Sequence, residues 1–143
     1  MEQISLPSEV FGPNIVAVKY KRCYKYGASG VLKTNVCFRN TKTGRTYSIF
    51  QTSGKGRLWL RVQLNGKQWH VGRLIAWAFS NPRNLKLSTF AQRLGGCYKY
   101  EALHLSLDET NFSTENLQVG TRLQNLQQYR REASKKYAAV RRE

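Results

Sequence analysis

The stretch LHLSLDETNFSTENLQVGTRLQN, from Leu103 to Asn125, decides how this chain is read. Leu103, Leu105 and Leu107 alternate with His104 and Ser106, the period of a half-buried strand. Asp108 to Thr114 is polar and turn-rich, and Glu115 to Val119 reads as a short return strand. Gly120 then breaks the pattern, and Thr121 stands where a helix N-cap stands, ahead of RLQNLQQYRRE. The expectation is strand, loop, strand, helix, with His104 on the first strand and Asn125 on the first helical turn.

These residues resemble the pattern of the HNH, or ββα-metal, nucleases, above all the small homing endonucleases of mobile introns. The matching positions are His104, the pair Asn116-Leu117, Thr121 and Asn125. An upstream stretch, HVGRLIAWAFSNP from His70 to Pro82, is similar to the short helix that precedes the motif in those enzymes. His70 lies one place out of register with the histidine that often begins that helix, so it inherits no role. The likeness covers the C-terminal half well and the N-terminal half loosely.

The resemblance implies a phosphodiester hydrolase. His104 would be the general base, since a neutral imidazole can take a proton from water. Asn125 would bind a divalent cation through its amide oxygen, a hard donor suited to Mg2+ or Mn2+. Asn116 would hold the imidazole tautomer. The implied partner is DNA, with RNA as the other nucleic acid such a surface could take. One position departs from the pattern, because Leu103 stands where many relatives carry an acidic metal ligand. Glu101, two residues earlier on the same strand face, is a candidate replacement. The sequence is also similar to the His-Cys box homing endonucleases stripped of their zinc ligands, with Ser106, Asn111 and Asn116 where Cys or His would stand, so no zinc is expected. If the metal site has instead been lost, the chain is a catalytically inactive nucleic-acid-binding component of a larger nucleoprotein assembly.

Charge points to the same class of partner. The 143 residues hold 24 Lys and Arg against 8 Asp and Glu, a net charge of +16. No carboxylate occurs between Glu9 and Glu101, while cations recur throughout. Such a surface calls for a polyanion, and nucleic acid is the commonest. A membrane surface would favour an apolar helical face with a basic flank, which the pattern does not offer. Three cysteines, Cys23, Cys37 and Cys97, form no CxxC pair, which argues against a zinc knuckle or disulfide framework. The N-terminus MEQISLPSEVF lacks the basic start and apolar run of a signal peptide, so a soluble, intracellular protein without a membrane span is expected.

From the N-terminus, Met1 to Asn14 reads as an extended lead-in, with Pro7, Gly12 and Pro13 against regular structure. Ile15 to Tyr20 is a strand, running into a segment where Lys19, Lys21, Arg22 and Lys25 interleave with Tyr20, Tyr24 and Tyr26. Rings among cations either stack on bases while the cations meet phosphates, or pack a solvated strand edge. Val31 to Arg39 and Arg45 to Gln51 read as strands joined by a turn with Gly44 at positive φ. Arg57 to Leu64 alternates Leu58, Leu60, Val62 and Leu64 with Arg57, Trp59, Arg61 and Gln63, and Asn65-Gly66 signals a hairpin to Lys67–Val71. Arg57, Trp59 and Arg61 form either a nucleic-acid platform or the outside of an ordinary amphipathic strand. Val71 to Ser80 is an apolar helix, and Arg83 to Tyr100 reads as loop. On the last helix, Arg122, Arg130, Arg131, Lys135 and Lys136 are candidate phosphate contacts.

The reading is therefore an α+β protein: residues 1–68 form a basic antiparallel β region, and residues 69–143 form a ββα-metal module with a preceding helix and a basic C-terminal helix.

Overall fold

The computed structural model describes residues 2–27, 30–54, 57–81, 100–106 and 108–141. The protein is α+β, built mostly from antiparallel sheets. The N-terminal region forms two sheets rather than one. A four-stranded sheet takes β1 (Glu2–Ser5), β2 (Ile15–Tyr26), β3 (Leu32–Asn40) and β4 (Thr46–Tyr47) in that order. A three-stranded sheet follows with β5 (Ile49–Gly54), β6 (Arg57–Leu64) and β7 (Lys67–His70).

Two local elements differ from the expectation. Met1–Asn14 is not an irregular lead-in. Gln3 and Ile4 pair with Val18 and Ala17 at the sheet edge, and Pro7 precedes a single helical turn, α1 (Ser8–Phe11). Proline, with φ fixed near the helical value, is tolerated at a helix start although it opposes the helix interior. The strand expected over Arg45–Gln51 divides at Ser48, Thr46–Tyr47 pairing with β3 and Ile49–Gly54 with β6. Leaving one sheet for the other lets both put an apolar face on a common core.

The β6–β7 hairpin forms at Asn65-Gly66, with φ of 51° and 76°. A two-residue turn of this hand needs positive φ at both positions, and Asn and Gly tolerate it best. Leu60, Val62 and Leu64 point inward and are buried. Against them packs α2 (Val71–Phe79), burying Val71, Leu74, Ile75 and Ala76.

Beyond residues 82–99, where most of the expected loop lies outside the described residues, β8 (Tyr100–His104) pairs with β9 (Leu117–Thr121). The return strand starts later than Glu115, because Thr114–Asn116 turn to meet the N-terminal sheet. A 20-residue helix, α3 (Arg122–Arg141), follows directly. Among the described residues no helix is long and apolar enough to cross a membrane.

The junction between the hairpin and the four-stranded sheet is dense. Lys33 receives a bond at its carbonyl from the Phe112 amide (2.8 Å), and its own amide donates to Thr110 (3.0 Å). The buried Thr34 hydroxyl donates to the Phe112 carbonyl at 2.8 Å. The Asn35 side chain accepts from the Thr114 amide (3.0 Å) and donates to Thr114 Oγ1 (3.2 Å). These bonds satisfy buried polar groups on both sides, and Phe112 enters one core cluster with Leu32, Val36, Phe38, Leu64, Ile75 and Leu117. That core crosses the boundary at residues 68 and 69.

Removing the Phe112 ring should therefore weaken the whole molecule. Phe112→Ala is expected to cost about 3–5 kcal/mol in urea denaturation, the range for a truncated core aromatic. A loss under about 1 kcal/mol, the scale of a single neutral hydrogen bond, would contradict the docking.

Candidate functional site

Register along the β8–β9 hairpin assigns its side chains to two faces. Glu101, Leu103, Gln118 and Gly120 share one; Ala102, His104, Leu117 and Val119 share the other. The second face turns to the core through Leu117 and Val119. The first carries α3.

Helix α3 begins with a reciprocal cap. The Gln124 amide donates to Thr121 Oγ1 at 3.1 Å, and the Thr121 amide donates to Gln124 Oε1 at 2.8 Å. This capping box satisfies two amides that have no partner inside the helix, and it fixes the direction in which the helix leaves the strand. Asn125 then faces β8, its Nδ2 donating to Glu101 Oε2 at 2.7 Å. One turn later Gln128 Nε2 donates to the Leu105 carbonyl at 2.7 Å. Leu103 is 6% exposed and lies over Gly120, where any Cβ would collide with its side chain. A leucine is tolerated at this position because the opposing residue has no side chain.

His104 ends β8 on the other face. Its ring stands edge to face against Phe112, centroids 5.3 Å apart at 77°. Nε2 is buried and has no hydrogen-bond partner. Burial pushes the imidazole pKa below its ordinary value, while the nearby carboxylates of Glu109 and Asp108 oppose the shift. The ring is accordingly neutral at pH 7, the state a general base requires.

Asn116 plays a different part from the one expected. Its Oδ1 accepts the Ser106 amide (3.0 Å), and its Nδ2 donates to the Asp108 carbonyl (3.3 Å) and the Asn111 carbonyl (3.0 Å). The side chain is committed to main-chain groups of the tight loop, sharing the Asp108 carbonyl with the Asn111 amide, so it orders the loop and makes no bond to the imidazole. Asp108 contributes to the same loop, accepting from the Thr110 amide at 3.1 Å.

The candidate nucleic-acid contacts fall on three surfaces. Lys21, Arg22, Tyr24 and Lys25 are exposed on β2, whereas Lys19 lies 3.4 Å from Glu115. Trp59 and Arg61 are half-buried on β6: Trp59 meets His70 edge on at 6.1 Å, and Arg61 Nε donates to Thr52 Oγ1 at 3.1 Å. Arg130, Arg131 and Lys135 are exposed on α3, with Lys135 3.4 Å from Glu132. The side chains of Arg57, Arg122 and Lys136 lie outside the described residues. Sequence reading missed Phe112, Gln124 and Gln128, although Thr121-x-x-Gln124 is a legible capping pattern.

As a metal site, the described residues contain no group of three or more His, Cys, Asp and Glu able to hold an ion. They do join one carboxylate and one amide, Glu101 and Asn125. No protein-family model, curated protein or solved structure matches this chain.

His70 supplies a pH test. Burial, then Arg61 and Arg73, lower its pKa from 6.5 to about 4. Between these values the unfolded chain binds a proton that the folded chain does not, so stability is full above pH 6.5 and falls as pH drops toward 4. His104 adds to the loss in the same direction. The urea midpoint should be lower at pH 5 than at pH 7, with His70→Gln reducing the difference; equal midpoints in the parent protein would refute the burial of both rings.

Proposed function

We propose that this chain is a metal-dependent endonuclease of the ββα-metal type, hydrolysing phosphodiester bonds in DNA. The observation that carries the reading is the 2.7 Å contact of Asn125 with Glu101, on the hairpin that ends in a desolvated, neutral His104. The carboxylate, the amide and the capped helix lie on one side of the hairpin, and His104 lies on the other face of the same strand.

Glu101 and Asn125 offer two hard oxygen donors, which suits Mg2+ or Mn2+, ions that keep several waters and complete their shell with substrate phosphate oxygens. A cation bound there would supply charge stabilisation for the phosphoryl oxygens and the departing alkoxide. The chain's own residues supply the rest. His104, whose Nε2 is buried, would take the proton of the attacking water through Nδ1 as the water oxygen bonds to phosphorus and the P–O bond of the leaving nucleotide breaks. Asn116 keeps the loop behind the imidazole in one conformation, so the base is oriented before substrate arrives. Basic residues on β2 and α3 hold the polyanion by its backbone, with RNA as a possible second substrate.

A second reading has its own support. Leu103 fills the position of the usual acidic ligand, and the Glu101–Asn125 hydrogen bond satisfies both groups without an ion. On that reading the chain is an inactive nucleic-acid-binding component of a larger assembly.

Cleavage separates the two. With Mg2+ or Mn2+, the protein should nick supercoiled plasmid, and His104→Ala should slow nicking by about 10²–10⁴-fold, the usual contribution of a general base. Asn125→Ala and Glu101→Gln should raise the metal concentration needed. Tight plasmid binding with no nicking in either metal would overturn the nuclease reading in favour of the binder.

A further inference from the structure

We propose that Arg22 and Arg39 form a paired phosphate clamp on the four-stranded sheet, each guanidinium set in place by a tyrosine, and that this clamp grips the nucleic-acid backbone away from the hairpin. The proposal rests on the nucleic-acid reading above but not on cleavage.

A continuous chain of contacts defines the clamp. Arg39 Nη2 donates to the Tyr20 hydroxyl at 3.2 Å, and the Cys37 thiol donates to the same oxygen at 3.0 Å. The Tyr20 ring packs edge on against Tyr24, centroids 5.7 Å apart at 79°. Arg22 lies over the Tyr24 ring at 5.1 Å, its Nε donating to the Tyr24 hydroxyl at 3.4 Å. The sequence therefore places two guanidiniums at the two ends of a tyrosine pair.

The tyrosines act as supports for arginine rather than as stacking platforms. One side of the Tyr24 ring is taken by Arg22, and the Tyr20 hydroxyl is shared between Cys37 and Arg39. An arginine held on an aromatic face loses less side-chain freedom when it binds, which raises its value as a phosphate contact. Its planar fork also matches two phosphate oxygens at once.

Among the described residues, no carboxylate forms an ion pair with Arg22 or Arg39. Arg39 Nε is buried without any acceptor. The strands β2, β3 and β4 carry no Asp or Glu; Glu2 lies opposite Lys19 in register, and Glu115 is in ion-pair contact with Lys19. For the half-buried Arg39, a cation with no ion-pair partner is costly, and a phosphate at its guanidinium reduces that cost; Arg22 is exposed. Neighbouring Lys21 and Lys25 add to the local field.

The test uses the full chain, a fluorescent duplex of arbitrary sequence, and EDTA, so that binding is read without cleavage. Arg22→Gln and Arg39→Gln should each weaken binding several-fold and lower the magnitude of the log–log salt slope by about 0.9, the value for one lost phosphate contact. Tyr24→Leu should weaken the parent protein yet add nothing to Arg22→Gln. Tyr24 is 41% exposed, so the truncation is a surface change; Tyr24→Phe, which keeps the ring, should give a smaller loss of the same kind. An unchanged slope in both arginine variants would overturn the clamp. So would a Tyr24→Leu loss that persists undiminished with Arg22→Gln, or a preference for single-stranded over duplex probe that depends on Tyr24, since both would mean that the ring meets the bases itself. Loss of plasmid nicking with these binding results intact would sink the nuclease reading alone, whereas no binding of the parent protein at low salt would sink both.

Discussion

Strand β3 holds the loop between β8 and β9 by its main chain, and most of the molecule depends on that grip. The Lys33 amide and carbonyl bond to Thr110 and Phe112, while Thr34 and Asn35 satisfy the next carbonyl and amide along. A two-stranded hairpin on its own is marginal in water. Docked on β3, it places Phe112 in the shared core, and Phe112 in turn desolvates His104. The electrostatic state of the candidate base is thus set by residues about 70 positions away in sequence.

The hairpin divides its work between two faces because side chains alternate along a strand. The core-facing side fixes His104, and the side under α3 brings Glu101 to Asn125. Gly120 makes the second arrangement possible by leaving room for Leu103. Charge is organised on a different scale. With no acid between Glu9 and Glu101, the N-terminal sheets have few internal partners for their cations, and tyrosine hydroxyls take that place at Arg22 and Arg39.

Local signals in the sequence were easy to read, and the structure follows them. Asn65-Gly66 makes its hairpin, Gly44 takes φ of 75°, Thr121 caps the last helix, and Val71–Phe79 is helical. Each of these rests on the chemistry of a few adjacent residues. The division of a strand at Ser48 was not legible, because it depends on which sheet offers a free edge. Nor was the pairing of Glu2–Ser5, which is decided by β2 rather than by Pro7 and Gly12. At the site, Asn125 is nominated by the family resemblance and Glu101 by sharing a strand face with Leu103, and their side chains meet. Asn116 could be nominated but not interpreted, since the main-chain groups it satisfies exist only once the loop has closed.

The most direct measurement is manganese-induced broadening of the amide signals in an NMR spectrum of the full chain. Substoichiometric Mn2+ should broaden first the signals around Glu101 and the first turn of α3, and Asn125→Ala or Glu101→Gln should abolish this focus. Broadening spread over the surface carboxylates, with no focus at Glu101 and Asn125, would contradict a cation site on the α3 side of the hairpin.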